Sequence, residues 1–338
     1  MSTIFEQLAS LTVVDHDIAI VAGNQAPVGQ YIKGYAAPCA VTPLRNSFYL
    51  MRAEILRDIL AWFSTPYSEA LYLTGPTGSG KSSVLSEIAA RLNYPVFQVT
   101  GHGRLEVPDL VGHLTLDSGT MTFQYGPLAL AMKYGGLFLL DEIDLLDPAT
   151  AAGLNGVLEG RPLTIAENGG EVVSPHPMFR FAATANTNGG SDETGFYQGA
   201  LRQNLAFMDR FWVTVVDYPT PEQETALLER FHPELPPETV VKMVSMANDV
   251  RTLFRGEAAG QWADILRGMG SIDVTFSTRT LLRWARLTVS FKNLGRIGIP
   301  PIAYALDRAL GFRALPESRA ALHELLQRYF PDSNKSGG

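Results

Sequence analysis

Apolar residues in this chain follow two rhythms, and the pattern changes near Tyr218-Pro219. Upstream, short solid apolar blocks at residues 71–73, 94–99, 137–140, 179–183 and 212–216 each run into a polar end. Such blocks predict strands, and their alternation with helix-period stretches predicts a parallel sheet covered on both faces. Residues 82–92 predict one of the covering helices, with Val84, Leu85, Ile88, Ala89 and Leu92 turned inward. Residues 49–63 predict another, with Leu50, Ile55, Ile59 and Leu60 near one face. Downstream the strands stop, and residues 222–231, 238–253 and 278–291 predict helices. The expected organisation is an irregular N-terminal segment over 1–45, an α/β core over 46–219, and a helical domain with a tail over 220–338. Gly23, Pro27, Gly29, Gly34, Pro38 and Pro43 punctuate the first segment.

Two hairpins are expected inside the core. Leu114-Thr115-Leu116 and Met121-Thr122-Phe123 alternate around Asp117-Ser118-Gly119. Leu163-Thr164-Ile165 and Glu171-Val172-Val173 flank Asn168-Gly169-Gly170. Both have the turn chemistry of a β-hairpin.

Between the first strand and the helix that follows it stands Gly75-Pro76-Thr77-Gly78-Ser79-Gly80-Lys81-Ser82, then Ser83. This fits the G-x-x-x-x-G-K-S/T phosphate loop completely and in its proper strand-loop-helix setting. Glycines let backbone N–H groups wrap phosphates, and the helix N-terminus adds partial positive charge. Lys81 is suited to the β- and γ-phosphates of ATP, and Ser82 to Mg²⁺. About sixty residues on, the apolar strand 137–140 ends in Asp141-Glu142. An Asp there positions Mg²⁺ with Ser82, and Glu142 is placed to polarise an attacking water. Asp144 is expected to cap the helix after it.

Composition narrows the partners. Of 338 residues, 27 are basic and 34 acidic, a formal net charge of −7 that disfavours a general nucleic-acid coat. No apolar run approaches the roughly 18 to 20 residues a membrane helix needs. The start, MSTIFEQLASLTVVDHD, lacks a basic leader, and the lone Cys39 fits a reducing compartment; the expectation is a cytoplasmic protein without membrane contact.

The phosphate loop, the acids Asp141-Glu142-Ile143-Asp144, the strand end Ala183-Thr184-Ala185-Asn186-Thr187 and Met208-Asp209-Arg210-Phe211 together resemble AAA+ ATPases of the MoxR class. Within that class they are most similar to the ATPase subunits of aerobic cobaltochelatases. Supporting stretches are Ala90-Arg91-Leu92-Asn93-Tyr94-Pro95, Asp109-Leu110-Val111-Gly112, His176-Pro177, Thr194-Gly195-Phe196-Tyr197-Gln198-Gly199 and Ser277-Thr278-Arg279-Thr280. The likeness spans roughly residues 45 to 290.

The resemblance implies an AAA+ P-loop core, with a parallel sheet between helices, followed by a smaller helical lid. It implies Mg²⁺-dependent ATP hydrolysis served by Lys81, Glu142, Asn186, Arg210 and Arg279. Asn186 resembles the sensor residue that holds water or γ-phosphate. Arg210 resembles the arginine finger that reaches a neighbour's nucleotide, a task suited to a planar, always-charged guanidinium, with Arg202 as a second candidate. Arg279 resembles the lid's own nucleotide sensor. A homo-oligomeric ring, a hexamer, is implied, acting on a protein client that commonly bears a von Willebrand factor A domain; hairpins in this class point toward the ring centre. The chain departs from threading unfoldases in lacking an aromatic-glycine pore loop. A nucleic-acid motor and a non-hydrolytic nucleotide-gated scaffold are the alternatives. Net charge weighs against the first, and intact Glu142 and Arg210 against the second.

Overall fold

The computed structural model describes residues 3–23, 29–65, 69–117, 119–190, 199–257 and 272–331. Most of the Thr194-Gly195-Phe196-Tyr197-Gln198-Gly199 stretch, and Ser118 at the first hairpin tip, lie outside the described residues. The chain divides into two compact units: one of Met1–Pro76 and Gly80–Asp217, the other of Tyr218–Gly338 together with Thr77–Ser79.

In the first unit, β1 (Val13–Asp17) pairs antiparallel with β2 (Tyr31–Tyr35). The N-terminal segment is therefore more ordered than the irregular stretch expected. It opens with the helix Ile4–Ala9, whose capping box joins the Thr3 hydroxyl to the Glu6 amide and the Glu6 carboxylate to the Thr3 amide. Glycines and prolines punctuate the segment only from Gly23 onward, and Asp17, Asn93 and Arg91 anchor it by hydrogen bonds that composition does not reveal.

The sheet of the core uses β3 (Ala70–Thr74) and β4 (Val96–Thr100). A first hairpin of β5 (Gly112–Asp117) and β6 (Thr120–Tyr125) precedes β7 (Leu137–Asp141). A second, of β8 (Leu163–Ile165) and β9 (Glu171–Val173), precedes β10 (Arg180–Ala185) and β11 (Phe211–Val215). The five sheet strands run in the order β11-β3-β10-β7-β4, all parallel. Burial follows that order. β3 and β10 in the centre are buried at every residue, whereas β11 at one edge exposes Val213 and Val215. Solid apolar runs thus mark central strands, covered on both faces. One face packs Leu85, Ile88, Ile59 and Trp62; the other packs Leu128, Met132, Phe138 and Phe181. Each such large side chain, fully buried, contributes about 1.5–3 kcal/mol.

The expected helix over 49–63 begins later, at Ala53, because Arg52 adopts extended backbone and donates its guanidinium to the Asp217 carbonyl at 2.6 Å. Strand β4 starts at Val96, one residue after Pro95, which has no N–H for the ladder.

The second unit is helical, built on Pro221–Phe231, Pro237–Phe254, Thr278–Ser290, Pro301–Ala309 and Pro316–Tyr329. Its core gathers Met243, Val250, Phe276, Leu281, Trp284, Leu306 and Leu325. Among the described residues, no helix is long and apolar enough to cross a membrane.

Candidate active site

The site is assembled at the polar ends of the central strands. β3 delivers the chain into the phosphate loop at Gly75, whose φ is +148°; a Cβ there would stand 2.1 Å from the Val216 carbonyl oxygen, so only glycine fits. The loop closes into the helix Lys81–Arg91. Lys81 is buried, and its ammonium donates to the carbonyls of Gly75 at 2.7 Å and Pro76 at 2.9 Å. It also donates to Asn186 Oδ1 at 3.1 Å. Because β10 lies beside β3, the strand that ends in Asn186 reaches the loop lysine from across the sheet.

Directly after Lys81, the Ser82 hydroxyl donates to Asp141 Oδ1 at 2.6 Å. The Thr184 hydroxyl donates to the same oxygen, and Gln98 Nε2 donates to Oδ2 at 3.2 Å. A serine hydroxyl and a carboxylate oxygen in contact are hard oxygen donors of the kind Mg²⁺ takes beside phosphate. The donor set of Ser82 and Asp141 fits that ion.

Glu142 follows directly with φ +56° and ψ +44°, one of two non-glycine residues of positive φ among those described. Its amide donates to the Thr184 hydroxyl at 3.3 Å, and its side chain is exposed. A left-handed backbone costs such a residue about 1–3 kcal/mol, and strain of this kind gathers at functional sites. Gly101 makes the turn possible: its N–H bonds the Asp141 carbonyl at 2.6 Å, and a Cβ there would come within 2.5 Å of the Glu142 carbonyl oxygen.

Asp144 has a different place from the one expected. The helix Pro148–Gly153 is capped by Asp147, whose side chain accepts from the Ala149 amide at 2.8 Å. Asp144 is buried inside a short 3-10 turn and accepts from the amides of Asn186 at 2.9 Å and Thr187 at 3.1 Å. It therefore fixes the chain just beyond β10. Gln98, Gly101, Asp144 and Thr184 are the site residues that sequence reading passed over or misplaced. Thr184 stands near the end of β10 and Gly101 and Asp144 beyond strand ends, while Gln98 lies mid-strand in β4 with no such signal.

Hydrogen bonds thus pair Lys81 with Asn186 and Ser82 with Asp141, and the adjacency of Lys81 and Ser82 in the chain brings the two pairs together beside Glu142. Arg210 is engaged elsewhere in the first unit. Its Nε donates to Glu159 Oε1 at 2.9 Å, its Nη2 to the same oxygen, and its Nη1 to the Ala206 carbonyl. The hydrogen bond from Arg210 holds the Glu159 carboxyl below the usual carboxylate range. Arg202 is exposed. Arg279 is exposed near the start of the helix Thr278–Ser290 in the second unit, where the Ser277 hydroxyl caps the Thr280 amide at 3.1 Å.

Comparison with known proteins accords with this site. The AAA domain (dynein-related subfamily) matches residues 70–211, and the CbbQ/NirQ/NorQ C-terminal domain matches residues 224–329. The chain is 31% identical over 263 residues to the aerobic cobaltochelatase subunit CobS of Sinorhizobium sp, covering 75% of either chain. To midasin of Dictyostelium discoideum it is 32% identical over 272 residues, 79% of this chain but only 4% of that one. To the protein CbbQ of Hydrogenophilus thermoluteolus it is 30% identical over 192 residues, 55% of this chain and 68% of the relative.

Proposed function

The chain belongs to the AAA+ ATPases of the MoxR class, and on that premise we propose that it hydrolyses ATP to ADP and phosphate within a ring that acts on a partner protein. The observation that carries this reading is the contact of Ser82 with Asp141 beside the contact of Lys81 with Asn186. Those two pairs bring a phosphate cation, a metal-ligand pair and a polar sensor to one end of the sheet.

Lys81 leaves its loop carbonyls to bind the β- and γ-phosphates. Ser82 and Asp141 hold Mg²⁺, which when bound neutralises charge on the phosphate oxygens. Glu142 polarises the attacking water, and Asn186 orients that water or the γ-phosphate. Arg210, supplied by a neighbouring subunit, spreads the charge of the transferring group, and Arg279 lets the helical unit respond to the nucleotide. Ring assembly, with six subunits as the expected number, follows from the trans role of Arg210. The relative CobS is by name a subunit of a larger enzyme, which supports a protein client for this chain; one carrying a von Willebrand factor A domain fits the class. The expected setting is cytoplasmic.

The deciding experiment is Glu142→Gln. It should bind ATP about as the wild type does, measured with a fluorescent nucleotide, while phosphate release falls by about 10²-fold or more. Lys81→Ala should instead lose binding. Wild-type turnover should rise with protein concentration as rings form. Near-normal turnover of Glu142→Gln would remove the water-polarising role, and full turnover by a monomer would remove the ring.

A further inference from the structure

Arg210 lies at the end of a short helix, Leu205–Met208, just before β11, and a freely swinging arginine there would have many rotamers to lose before meeting a phosphate. Its guanidinium is not swinging. Nε and Nη2 both donate to Glu159 Oε1, and Nη1 donates to the Ala206 carbonyl one helical turn back. These contacts take three of the five N–H groups of an arginine, leaving one on each terminal nitrogen for a further acceptor. Glu159 is itself held. It sits at the C-terminal cap of the helix Asn155–Leu158, and its second oxygen takes Arg161 Nη2 at 2.5 Å. With one oxygen on each arginine, the carboxylate cannot rotate without breaking an ion pair. A cleft of about 530 Å³ opens beside this group, lined by Glu69, Leu158, Glu159, Asp209, Arg210 and Trp212, so the guanidinium borders open space rather than packed core.

We propose that Glu159 is a positioning residue for Arg210, holding its guanidinium in the orientation from which it meets the nucleotide of the adjoining subunit. The proposal rests on the reading of Arg210 as a donor in trans. Pre-ordering the side chain removes the entropy cost of fixing it in the transition state, so the loss should appear in kcat and not in the affinity of a subunit for its own ATP. The exposed ion pair contributes little to stability, and its removal leaves the fold intact.

The test uses full-length rings. Glu159→Ala should lower kcat on the order of 10-fold to 100-fold, with the KM for ATP within about twofold and ring size unchanged by sedimentation. Glu159→Gln, whose amide oxygen still accepts from the guanidinium, should retain intermediate turnover. Mixing locates the defect. Glu159→Ala subunits mixed with Lys81→Ala subunits should regain activity, because intact arginines then serve intact phosphate loops. Glu159→Ala mixed with Arg210→Ala should regain none, because both faults lie on the same supplying face. Unchanged kcat, recovery in that second mixture, or a rise in kcat would each overturn the proposal; a rise would make Glu159 a latch that restrains the arginine. The underlying reading fails separately. If Arg210→Ala mixed with Lys81→Ala stays inactive, Arg210 does not act in trans and the proposal falls with it. If that mixture recovers while Glu159→Ala alone turns over normally, only the positioning role is lost.

Discussion

Asp144 Oδ2 accepts the backbone N–H of Asn186 at 2.9 Å, tying the turn after β7 to the end of β10. The first of these segments carries Asp141 and Glu142, the second carries Asn186, which accepts from Lys81. One buried carboxylate thus joins the two segments that border the phosphate loop.

Replacing Asp144 by Ala should therefore affect both stability and turnover. It would leave the amides of Asn186 and Thr187 and the Thr187 hydroxyl without their buried acceptor. Each stranded donor costs about 1–3 kcal/mol, and partial relaxation should bring the total near 2–4 kcal/mol. Urea unfolding would measure that loss, and phosphate release from the surviving fold should be lower because Asn186 is no longer fixed. A variant of wild-type stability would show that water or another donor set replaces the carboxylate.

Much of this site was legible in the sequence because its parts are contiguous. The phosphate loop occupies eight successive residues, Gly75 to Ser82, and the solid apolar runs of β3, β7 and β10 announce strands buried on both faces. What escaped reading are contacts made across the sheet. Gln98, Thr184 and Asp144 act through neighbours brought alongside by strand order, and their partners cannot be read from the linear sequence. The Glu159–Arg210 pair bridges 51 residues. The N-terminal capping box was legible, as Thr-x-x-Glu before apolar residues, but the expectation for the segment rested on glycines and prolines that lie further on, between Gly23 and Pro43.

In the helical unit, Glu224 and Arg251 form a fully buried ion pair. Arg251 donates to both carboxylate oxygens, at 2.7 and 2.8 Å, and to the Phe276 carbonyl at 2.7 Å. The Thr278 hydroxyl donates to the same carboxylate at 2.8 Å, beside Arg279. Glu224→Ala should cost about 3–5 kcal/mol, since it strands a guanidinium in the interior. Joint replacement of both residues by Met should cost less. Thermal unfolding of the single and double variants checks this, and equal losses would deny that the stranded charge is the cause.

A pH-dependent contribution is expected from Glu171. Burial works to raise its pKa, but hydrogen bonds from Lys133, Tyr125 and Asn168 outweigh this and hold the carboxyl below its usual range. A depressed folded pKa means the stabilisation is complete above the unfolded value. It is lost as pH falls through the folded value. The difference in melting temperature between wild type and Glu171→Gln should accordingly be present at neutral pH and shrink in acid. A difference that stays constant across that range would assign the effect to packing.

The same polar cluster bears on what the first hairpin does. Tyr125 at the base of β6 donates to Glu171 at 2.6 Å, and Lys133 donates to Tyr125 and Glu171, each at 2.8 Å. Asn168 adds a bond to Glu171 at 2.6 Å, so the base of the first hairpin is braced against the turn of the second. Toward the tip the hairpin is exposed. Leu116 and Met121 face each other across the strands with 71% and 58% of their surface open to solvent, and Leu114 continues the same face. Apolar side chains held out on a braced hairpin serve contact with something outside the first unit rather than its core. Replacing 116–121 by a short Gly-Ser turn leaves Tyr125 and its partners in place. Basal ATP hydrolysis should then stay within about threefold, because the binding surface and the chemical site are separate parts of the unit. Stimulation by the protein client, first captured on a Glu142→Gln ring, should disappear, since coupling requires the client to make differential contacts. If basal hydrolysis collapsed while client stimulation survived, the hairpin would be a brace between subunits, and its exposed leucines would belong to the ring itself.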